Sequence, residues 1–397
     1  MPRVPNRDRQ GQAFVVDAVR TPYGQRGGVL SGWHPVDLSA EMLTQLVERA
    51  GINGAAVDDV IFGCTTQVGA QACNIARRAV LAAGWPESVP GVTVDRQAAS
   101  SAQAVHWAAQ AVMSGAQSLV VAGGIELMTA VPHGASLSVA SVGKPYGLRL
   151  QDRYKAAAGG AGGLVPPGLA AEEVARRWSL DRSQLDKWAL QSRERAVRAQ
   201  RKRPSYMLAL AGPGKTVLGM DESLRHRWSR AEVSALSPMY LDGGVVTAAN
   251  MAAEGDGASA LLIASAERAV ELALAPVARV VSFATVGTDP LVWPAATIPA
   301  AQAALGRAGL SADDIDWWEV HESSAVAVHV WLAEMKVGAD VVNPAGGALA
   351  TTAPIGAVGA GLFVTAISGL VEAGLRRALV CVAAEGGIGT ACVLERA

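Results

Sequence analysis

Two hydrophobic patterns alternate along the chain: short apolar runs rich in β-branched residues, and longer segments with apolar residues every three or four positions. The first pattern is typical of buried strands and the second of helices. The predicted strands are AFVVDAV (13–19), DDVIFGC (58–64), SLVVAGG (118–124), ASALLIAS (258–265), ARVVSFA (278–284), DWWEVHE (316–322) and ALVCVAAE (378–385). The predicted helices are LSAEMLTQLVERAG (38–51), SSAQAVHWAAQAVMSG (100–115), IPAAQAALGRAG (298–309) and VGAGLFVTAISGLVEAG (358–374). This alternation indicates an α/β fold with βαβ units and mainly parallel sheets.

The pattern repeats once within the chain. Residues 45–64 and residues 302–320 both run from a helix through Ala-Gly and a short loop with Asp-Asp into a strand. Each is followed by a helix and later by an apolar, glycine-rich strand, which predicts two similar halves. The predicted organisation is an N-terminal half, an inserted loop or lid domain, the rest of the N-terminal half, and a C-terminal half, at 12–130, 131–245, 246–275 and 276–397.

The inserted segment differs in composition from both halves. It contains the run AAAGGAGGLVPPG (156–168), which we interpret as a flexible loop, because it lacks the strand–turn–helix setting and the Lys-Ser/Thr of a phosphate-binding loop. A charged stretch follows at 170–200 and reads as one helix.

Bulk composition narrows the function classes. The net charge of −1 over 397 residues gives no electrostatic basis for binding nucleic acid or an anionic membrane. Half of the residues are hydrophobic and only 17% are charged, which favours a large core and an oligomer. We expect no segment that approaches the length of a membrane-spanning helix. Four cysteines without metal-ligand spacing predict no metal site and a reducing, cytoplasmic location.

The stretch VTVDRQAASS (92–101) is predicted to run from a strand through a tight turn into a helix. A helix N-terminus is a favourable place for a nucleophile, because its dipole stabilises an anion. The middle of this turn, however, consists of Ala98 and Ala99.

This turn and several other motifs resemble those of the thiolase family, in order and spacing over nearly the whole chain. The other motifs are GGIELMT (123–129), GLAAEEVA (168–175), DESLR (221–225), DGGVVTAAN (242–250), HES (321–323), NPAGGALA (343–350) and GGIG (386–389). The resemblance implies a five-layered αβαβα fold with two similar halves and a covering loop domain, usually in a dimer or tetramer. It also implies carbon–carbon bond chemistry next to a thioester, with coenzyme A derivatives as substrates and no tightly bound cofactor.

In this family a cysteine at a helix N-terminus carries the acyl group, a Gly-His-Pro histidine activates it, and a second cysteine moves the α-proton. The resemblance places these three groups at Ala98, Ala353 and Ala383, none of which can act as a nucleophile or a base. The usual pantetheine-contacting serine becomes Ala252. A single cysteine-to-alanine change would explain Ala98 alone; the additional replacements indicate natural divergence, because catalytic groups that act as a unit lose their value together.

The resemblance retains a His-Glu loop, as His321 and Glu322, which in the family contributes to an oxyanion hole. Glu385 introduces a carboxylate where the family has glycine; it is either an ordinary salt-bridged residue or a buried base near His321. Glu254 is a weaker case of the same kind. The substrate-binding positions that the resemblance suggests are Ser100, Asn250, Asn343 and Gly387.

Other residues able to replace the lost groups have simpler interpretations. We expect Cys381 to be a buried structural cysteine, and Ser100 and Ser101 to serve packing and capping. His106, His133 and His329 have no matching role in the family and are interpreted as structural.

Two main hypotheses about function compete, and a third, simpler alternative is a diverged remnant that only binds acyl-CoA. The first is an enzyme that binds an acyl-CoA or acyl-carrier thioester and performs acyl transfer, condensation or retro-aldol cleavage without a covalent cysteine intermediate, with His321 polarising the thioester oxygen. The second is a non-catalytic subunit that pairs with an active thiolase paralogue or docks an acyl carrier. A homodimer or such a heteromer is expected in either case.

Overall fold

The computed structural model describes residues 11–137, 143, 145–155, 165–201, 204–211 and 217–397. The glycine-rich run interpreted as a flexible loop lies outside the described residues up to residue 164. The strands are β1 (Ala13–Arg20), β2 (Gly24–Gln25), β3 (Asp59–Gly63), β4 (Gly91–Val94), β5 (Leu119–Leu127), β6 (Leu210–Ala211), β7 (Val217–Leu218), β8 (Gly255–Ala264), β9 (Ala278–Gly287), β10 (Trp317–Val320), β11 (Arg377–Ala384) and β12 (Ile388–Arg396).

The helices follow the amphipathic segments closely. They are α1 (Pro35–Ala50), α2 (Ile75–Ala82), α3 (Ser100–Ser114), α4 (Leu148–Tyr154), α5 (Pro167–Arg177), α6 (Arg182–Gln200), α7 (Arg230–Ser234), α8 (Ala266–Glu271), α9 (Thr297–Ala308), α10 (Ala325–Met335), α11 (Ala348–Thr351) and α12 (Ile355–Ala373). Every strand and helix predicted from the hydrophobic pattern is present. The charged stretch at 170–200, however, is not one helix. It breaks between α5 and α6, where Ser179 has φ +53° and Asp181 begins α6 in a capping box with Gln184.

The main sheet runs β10-β11-β12-β9-β1-β8-β5-β3-β4, with β2 paired to β8. The expectation of mainly parallel sheets was wrong. Within the described residues the parallel pairs are β3–β4, β3–β5 and β10–β11, and the other pairs are antiparallel. The reason is that β12 returns beside β11 through a short turn, and β8 returns beside both β5 and β1 in the opposite direction.

The predicted internal duplication is visible in the structure. In the first repeat α1 leads through a 3-10 turn at Gly54–Ala56 into β3, and in the second α9 leads through a 3-10 turn at Ala312–Asp314 into β10. Both strands pair in parallel with the strand that follows the central helix of their half, namely β5 and β11. Hydrogen-bonded pairing between β1 and β9 joins the two halves into one sheet.

Three hydrophobic clusters define five layers. One cluster packs α1 and α2 on the outer face of the N-terminal half, and another packs α9 and α10 on the outer face of the C-terminal half. The central cluster joins α3 and α12 to the inner faces of both halves of the sheet. The order helix, sheet, helix, sheet, helix is the five-layered αβαβα arrangement that the resemblance implied.

The central helix α12 corrects one expectation from the sequence. It has 19 residues and a mean hydropathy of 1.7, so a segment of membrane-spanning length does exist, contrary to the expectation. In the structure 72% of this apolar stretch is buried inside the protein. Its apolar character on all sides follows from its position between two sheet faces.

Small residues set the distance between α3 and α12. A Cβ atom added to Gly359 would lie 2.7 Å from the backbone nitrogen of Ala102, closer than real side chains approach. The hydroxyl of Ser101 also accepts the N–H of Ala360 at 2.9 Å. These contacts hold the N-terminal turns of the two helices together.

Gly359→Val should therefore force α12 away from α3 and lower the free energy of unfolding by roughly 3 kcal/mol. The matched control is Gly306→Ala, at an exposed position in α9 where an added Cβ meets nothing. That change should raise stability by about 0.5–1 kcal/mol. Urea denaturation of the three proteins measures the difference, and equal stability of Gly359→Val and the parent would contradict the close packing inferred between the helices.

Candidate active site

The turn between β4 and α3 places Ala98 at a helix N-terminus. Gln97 has φ +45°, a left-handed backbone conformation that residues other than glycine rarely adopt. The hydroxyl of Ser100 accepts the N–H of Arg96 at 2.8 Å and donates to the carbonyl of Gln97 at 2.5 Å. Ser100 therefore closes the turn, and Ala98 projects half-buried beside the first turn of α3.

Methyl groups gather where the resemblance locates catalytic chemistry. Ala98 and Ala252 pack against a small cluster formed by Ala348, Ala353 and Val358. The N–H of Ala353 donates to the carbonyl of Ala253 at 2.8 Å, which fixes the loop before α12 against the segment that leads into β8. The positions suggested for the nucleophile and its activating histidine are thus adjacent, and both carry only methyl groups.

Thr352, beside Ala353, has a strained backbone. Its φ of +76° and ψ of 168° lie in a region that is essentially restricted to glycine, and a β-branched side chain makes it more costly. Its hydroxyl donates to the carbonyl of Gly24 over 3.3 Å, a long hydrogen bond. The strain is consistent with a loop geometry inherited from a glycine.

His321 is buried, with 3% exposure, just after β10. Its backbone N–H donates to the carbonyl of Cys381 at 2.9 Å, and its ring Nδ1 lies 3.2 Å from the carbonyl oxygen of Ala383. A carbonyl only accepts, so this contact assigns the ring proton to Nδ1 and leaves a lone pair on Nε2. Burial lowers the pKa of His321 to about 4, which keeps the ring neutral at pH 7.

Glu322 has a structural environment. Its carboxylate accepts from the Nε1 of Trp188, the hydroxyl of Ser192, the amide of Asn343 and the N–H of Leu349. Burial raises the pKa of this carboxyl group, while these four donors oppose the rise. Glu322 therefore joins α6 of the inserted segment to the loop before α12 rather than facing an open space.

The four residues suggested for substrate binding are buried and internally bonded. Asn250 bonds the N–H of Thr247 and the carboxylate of Asp186, and Asn343 bonds both main-chain groups of Val320. Ser100 closes the turn before α3, and the carbonyl of Gly387 accepts from Thr288. These contacts shape loops around the site; direct contact of these residues with a substrate stays a prediction.

Ala383, the third alanine, does not belong to the cluster that contains the other two. It is fully buried in a separate apolar cluster with Trp293 and Ala296. Cys381 is also fully buried, and desolvation raises the pKa of its thiol far above the usual value, as expected of a structural cysteine.

Glu385 does not have the environment anticipated from the sequence. Its charged neighbours are His133 and Asp95, and no interaction with His321 is seen within the described residues. His133 in turn lies 3.6 Å from Glu254, which pairs with Arg26 at 2.9 Å. The sequence interpretation of His133 as a structural residue missed this group. Along the chain, Arg26, His133, Glu254 and Glu385 each lie more than 100 residues from the next, so no local pattern could have revealed the group.

A pocket of about 160 Å³ lies beside the alanine cluster, lined by sequence neighbours of its members. Ala253 and Thr352, which flank Ala353 in space, form part of its lining. Arg193, His226 and Trp228 of the inserted segment form another part. Among the described residues, no group of three or more His, Cys, Asp or Glu side chains is arranged to hold a metal ion.

Thr352→Gly should raise the free energy of unfolding by about 1 kcal/mol, because glycine adopts this backbone conformation without strain. The neighbouring change Thr351→Gly, at the end of helix α11, is the matched control and should lower stability. Thermal and urea unfolding measure both variants. A loss of stability in Thr352→Gly would show that the backbone strain is smaller than the contacts its side chain makes.

Comparison with known proteins agrees with this architecture. The N-terminal domain of thiolase matches residues 13–267, and the C-terminal domain of thiolase matches residues 274–396. A steroid 3-ketoacyl-CoA thiolase from Mycobacterium tuberculosis is 40% identical over 398 residues, which covers 97% of this chain and 94% of that protein. A beta-ketoadipyl-CoA thiolase from Escherichia coli is 34% identical over 404 residues, with 97% and 99% coverage.

A crystal structure of the Bacillus anthracis acetyl-CoA acetyltransferase superposes with a TM-score of 0.86 at 29% sequence identity, covering 97% of this chain and 99% of that one. Both domain models and the long, nearly full-length similarity lead to one conclusion: the chain belongs to the thiolase family.

Proposed function

We propose that the protein catalyses thiolase-type chemistry on acyl-CoA thioesters through an enolate, without a cysteine nucleophile. Reactions that begin by removing a proton, either from the α-carbon or from a β-hydroxyl group, need a base and an oxyanion donor but no covalent intermediate. Condensation and retro-aldol cleavage belong to this class. The methyl groups of Ala98 and Ala353 are compatible with it, whereas double displacement needs a thiolate.

The contact between His321 Nδ1 and the carbonyl of Ala383 carries this proposal. Because Nδ1 holds the ring proton, Nε2 is an acceptor, so the neutral ring can take a proton there and cannot donate one. The base that we propose is therefore His321. This revises the role of polarising the thioester oxygen that the family pattern suggested for it.

The pocket beside the alanine cluster supports a coenzyme A thioester as the substrate. Trp228 and His226 form an aromatic pair with ring centroids 5.6 Å apart, and Arg225, Arg227 and Arg230 lie exposed on the same short stretch of chain. Guanidinium groups suit the phosphates of coenzyme A, and an aromatic surface suits its adenine ring. The names of the similar proteins, a steroid 3-ketoacyl-CoA thiolase and a beta-ketoadipyl-CoA thiolase, favour the same substrate class. An acyl-carrier thioester is the alternative donor.

Intact-mass measurement after incubation with acyl-CoA tests the absence of a covalent intermediate. The mass of the parent protein should not change, whereas Ala98→Cys should gain one acyl group, because the N-terminus of α3 favours a thiolate. The exposed thiol of Cys73 is present in both proteins and controls for non-specific acylation. An acyl adduct on a residue of the parent protein other than Cys73 would overturn the mechanism. In turnover assays His321→Ala should lower kcat/KM by about 10²-fold.

A second function, that of a non-catalytic subunit, is favoured by the loss of catalytic groups together with one surface. Strand β4 ends the sheet with an unpaired edge, Val92 on it is 40% exposed, and Trp107 on the adjoining helix α3 is also 40% exposed. An exposed strand edge beside a large apolar side chain is typical of a pairing surface. A second copy of this chain or an active paralogue would fit there. In either case we propose a cytoplasmic location, since none of the four cysteines is paired.

Native mass spectrometry of the protein from its own host tests the assembly. We expect a dimer, and Val92→Lys should shift it to monomer, because a charge on the paired edge opposes association. Val270→Lys changes a 77% exposed position on α8 and should leave the dimer intact. A Val92→Lys protein that remains fully dimeric would place the interface elsewhere. A homodimer that turns over a thioester alone would exclude the non-catalytic alternative.

A further inference from the structure

Three segments that are distant in sequence place a chain of charged groups beside the alanine cluster. Arg26 follows β2, His133 lies in the loop after β5, and Glu254 comes directly before β8. Arg26 Nη1 is 2.9 Å from Glu254 Oε2, and His133 Nδ1 is 3.6 Å from Glu254 Oε1. Glu254 thus stands between a guanidinium group and an imidazole ring.

The backbone ties this chain of groups to the proposed active site. Glu254 forms a parallel bridge with Ala353, and the preceding residue accepts the N–H of Ala353. Ala252, two residues earlier, packs in the same cluster as Ala98. Glu254, which orients His133, therefore lies on the segment that is hydrogen-bonded to Ala353, the position where the family has its histidine.

Three carboxyl groups act on the ring of His133. Glu254, Glu385 and Glu126 together raise the pKa of its imidazole above the usual value, with Glu254 as the largest cause. Glu385 extends from the turn after β11, two residues beyond Ala383, whose carbonyl holds the ring of His321. The two histidines therefore interact with the same short segment, 383–385, and have opposite protonation preferences.

His133 is also accessible to a ligand. Its side chain is 31% exposed, and that of Glu254 is 36% exposed, whereas His321 is buried. Two titratable groups whose surroundings shift their pKa values in opposite directions are the usual arrangement for acid and base partners.

We propose that His133, oriented by Glu254, donates the hydrogen bond that holds the acyl oxygen of a bound thioester. This rests on the function proposed above, in which His321 takes the α-proton. In the step, the Cα–H bond breaks and its proton moves to His321 Nε2. The electron pair of that bond forms a double bond between Cα and the acyl carbon, and the π pair of the C=O bond moves to the acyl oxygen. The N–H of His133 stabilises the resulting oxyanion. Return of a proton to the α-carbon restores the starting thioester, so exchange of the α-proton with solvent is the minimal reaction.

Glu254 and Arg26 are positioning residues in this arrangement. Glu254 favours the protonated ring and orients it, and Arg26 holds the second carboxylate oxygen of Glu254. Charged groups that face His133 from neighbouring segments are Glu385 and Glu126, and Asp95 lies near Glu385.

Exchange of α-protons of acetyl-CoA in deuterium oxide, followed by mass spectrometry, tests the role of His133. His133→Asn should lower the exchange rate by about 10²-fold, the usual effect of removing one oxyanion donor. Glu254→Gln should lower the rate less and move the alkaline limb of the pH–rate profile to lower pH, because the imidazolium loses its carboxylate partner. His34→Asn is the control: His34 caps α1, asparagine is a good substitute there, and exchange should not change.

Two outcomes separate this inference from the proposed function. If the parent protein exchanges α-protons and His321→Ala abolishes exchange while His133→Asn does not affect it, His133 has no such role and the function stands. If the parent catalyses no exchange or turnover, the proposed function fails. Nuclear magnetic resonance of the His133 ring during titration with acetyl-CoA then decides the binding role. A shift of its resonances that is lost in Glu254→Gln supports the contact, and unchanged resonances at saturation overturn it.

Discussion

The carboxylate of Glu126 connects the N-terminal half of the chain to helix α12 of the C-terminal half through buried hydrogen bonds. It lies at the end of β5 with 1% exposure, and it accepts the N–H groups of Thr65, Thr66 and Gly356 and the side-chain amide of Gln71. Gly356 is in the first turn of α12, so this one side chain joins both halves of the chain. A buried carboxylate is costly unless its oxygens are fully bonded, and a helix N-terminus supplies donors and a favourable dipole together. A methyl group on Gly356 would lie 2.6 Å from this carboxylate, which explains why glycine is needed there.

Glu322 performs the corresponding task on the other side of the site. Its four hydrogen bonds connect α6 of the inserted segment with the loop that leads to Ala353. Neither of these carboxylates depends on the side chains at positions 98 and 353. The framework can therefore keep the shape of a thioester site while those positions carry methyl groups. A motif that matches the family therefore indicates this framework as much as it indicates chemistry. In the His-Glu loop, Glu322 belongs to the framework, whereas His321 is the candidate for chemistry.

The hydrophobic periodicity was sufficient to predict seven of the strands, four of the helices and the duplication, because burial on sheet faces and between layers dictates the repeat of apolar positions. It could not predict strand direction: β8 and β12 are as apolar as parallel strands, since both of their faces are covered. It also did not separate α5 from α6, because the break depends on the conformation of Ser179 and the cap at Asp181 rather than on composition. Ala98 was placed correctly in its turn, but the apolar cluster around it requires Ala252 and Ala353, which come from distant segments.

The two histidines show most clearly why side-chain roles require three dimensions. From the sequence, His321 was a candidate to polarise the substrate, and His133 was only a loop residue. In the structure, His321 is desolvated and donates its single ring proton to the carbonyl of Ala383, which makes the ring an acceptor towards any ligand. His133 lies among carboxylates and is a donor on both nitrogens when protonated. Desolvation disfavours the charged form of His321 and lowers its pKa, whereas neighbouring carboxyl groups favour the charged form of His133 and raise its pKa. In the mechanism proposed above, the surroundings of two identical side chains assign the base role to one and the hydrogen-bond donor role to the other.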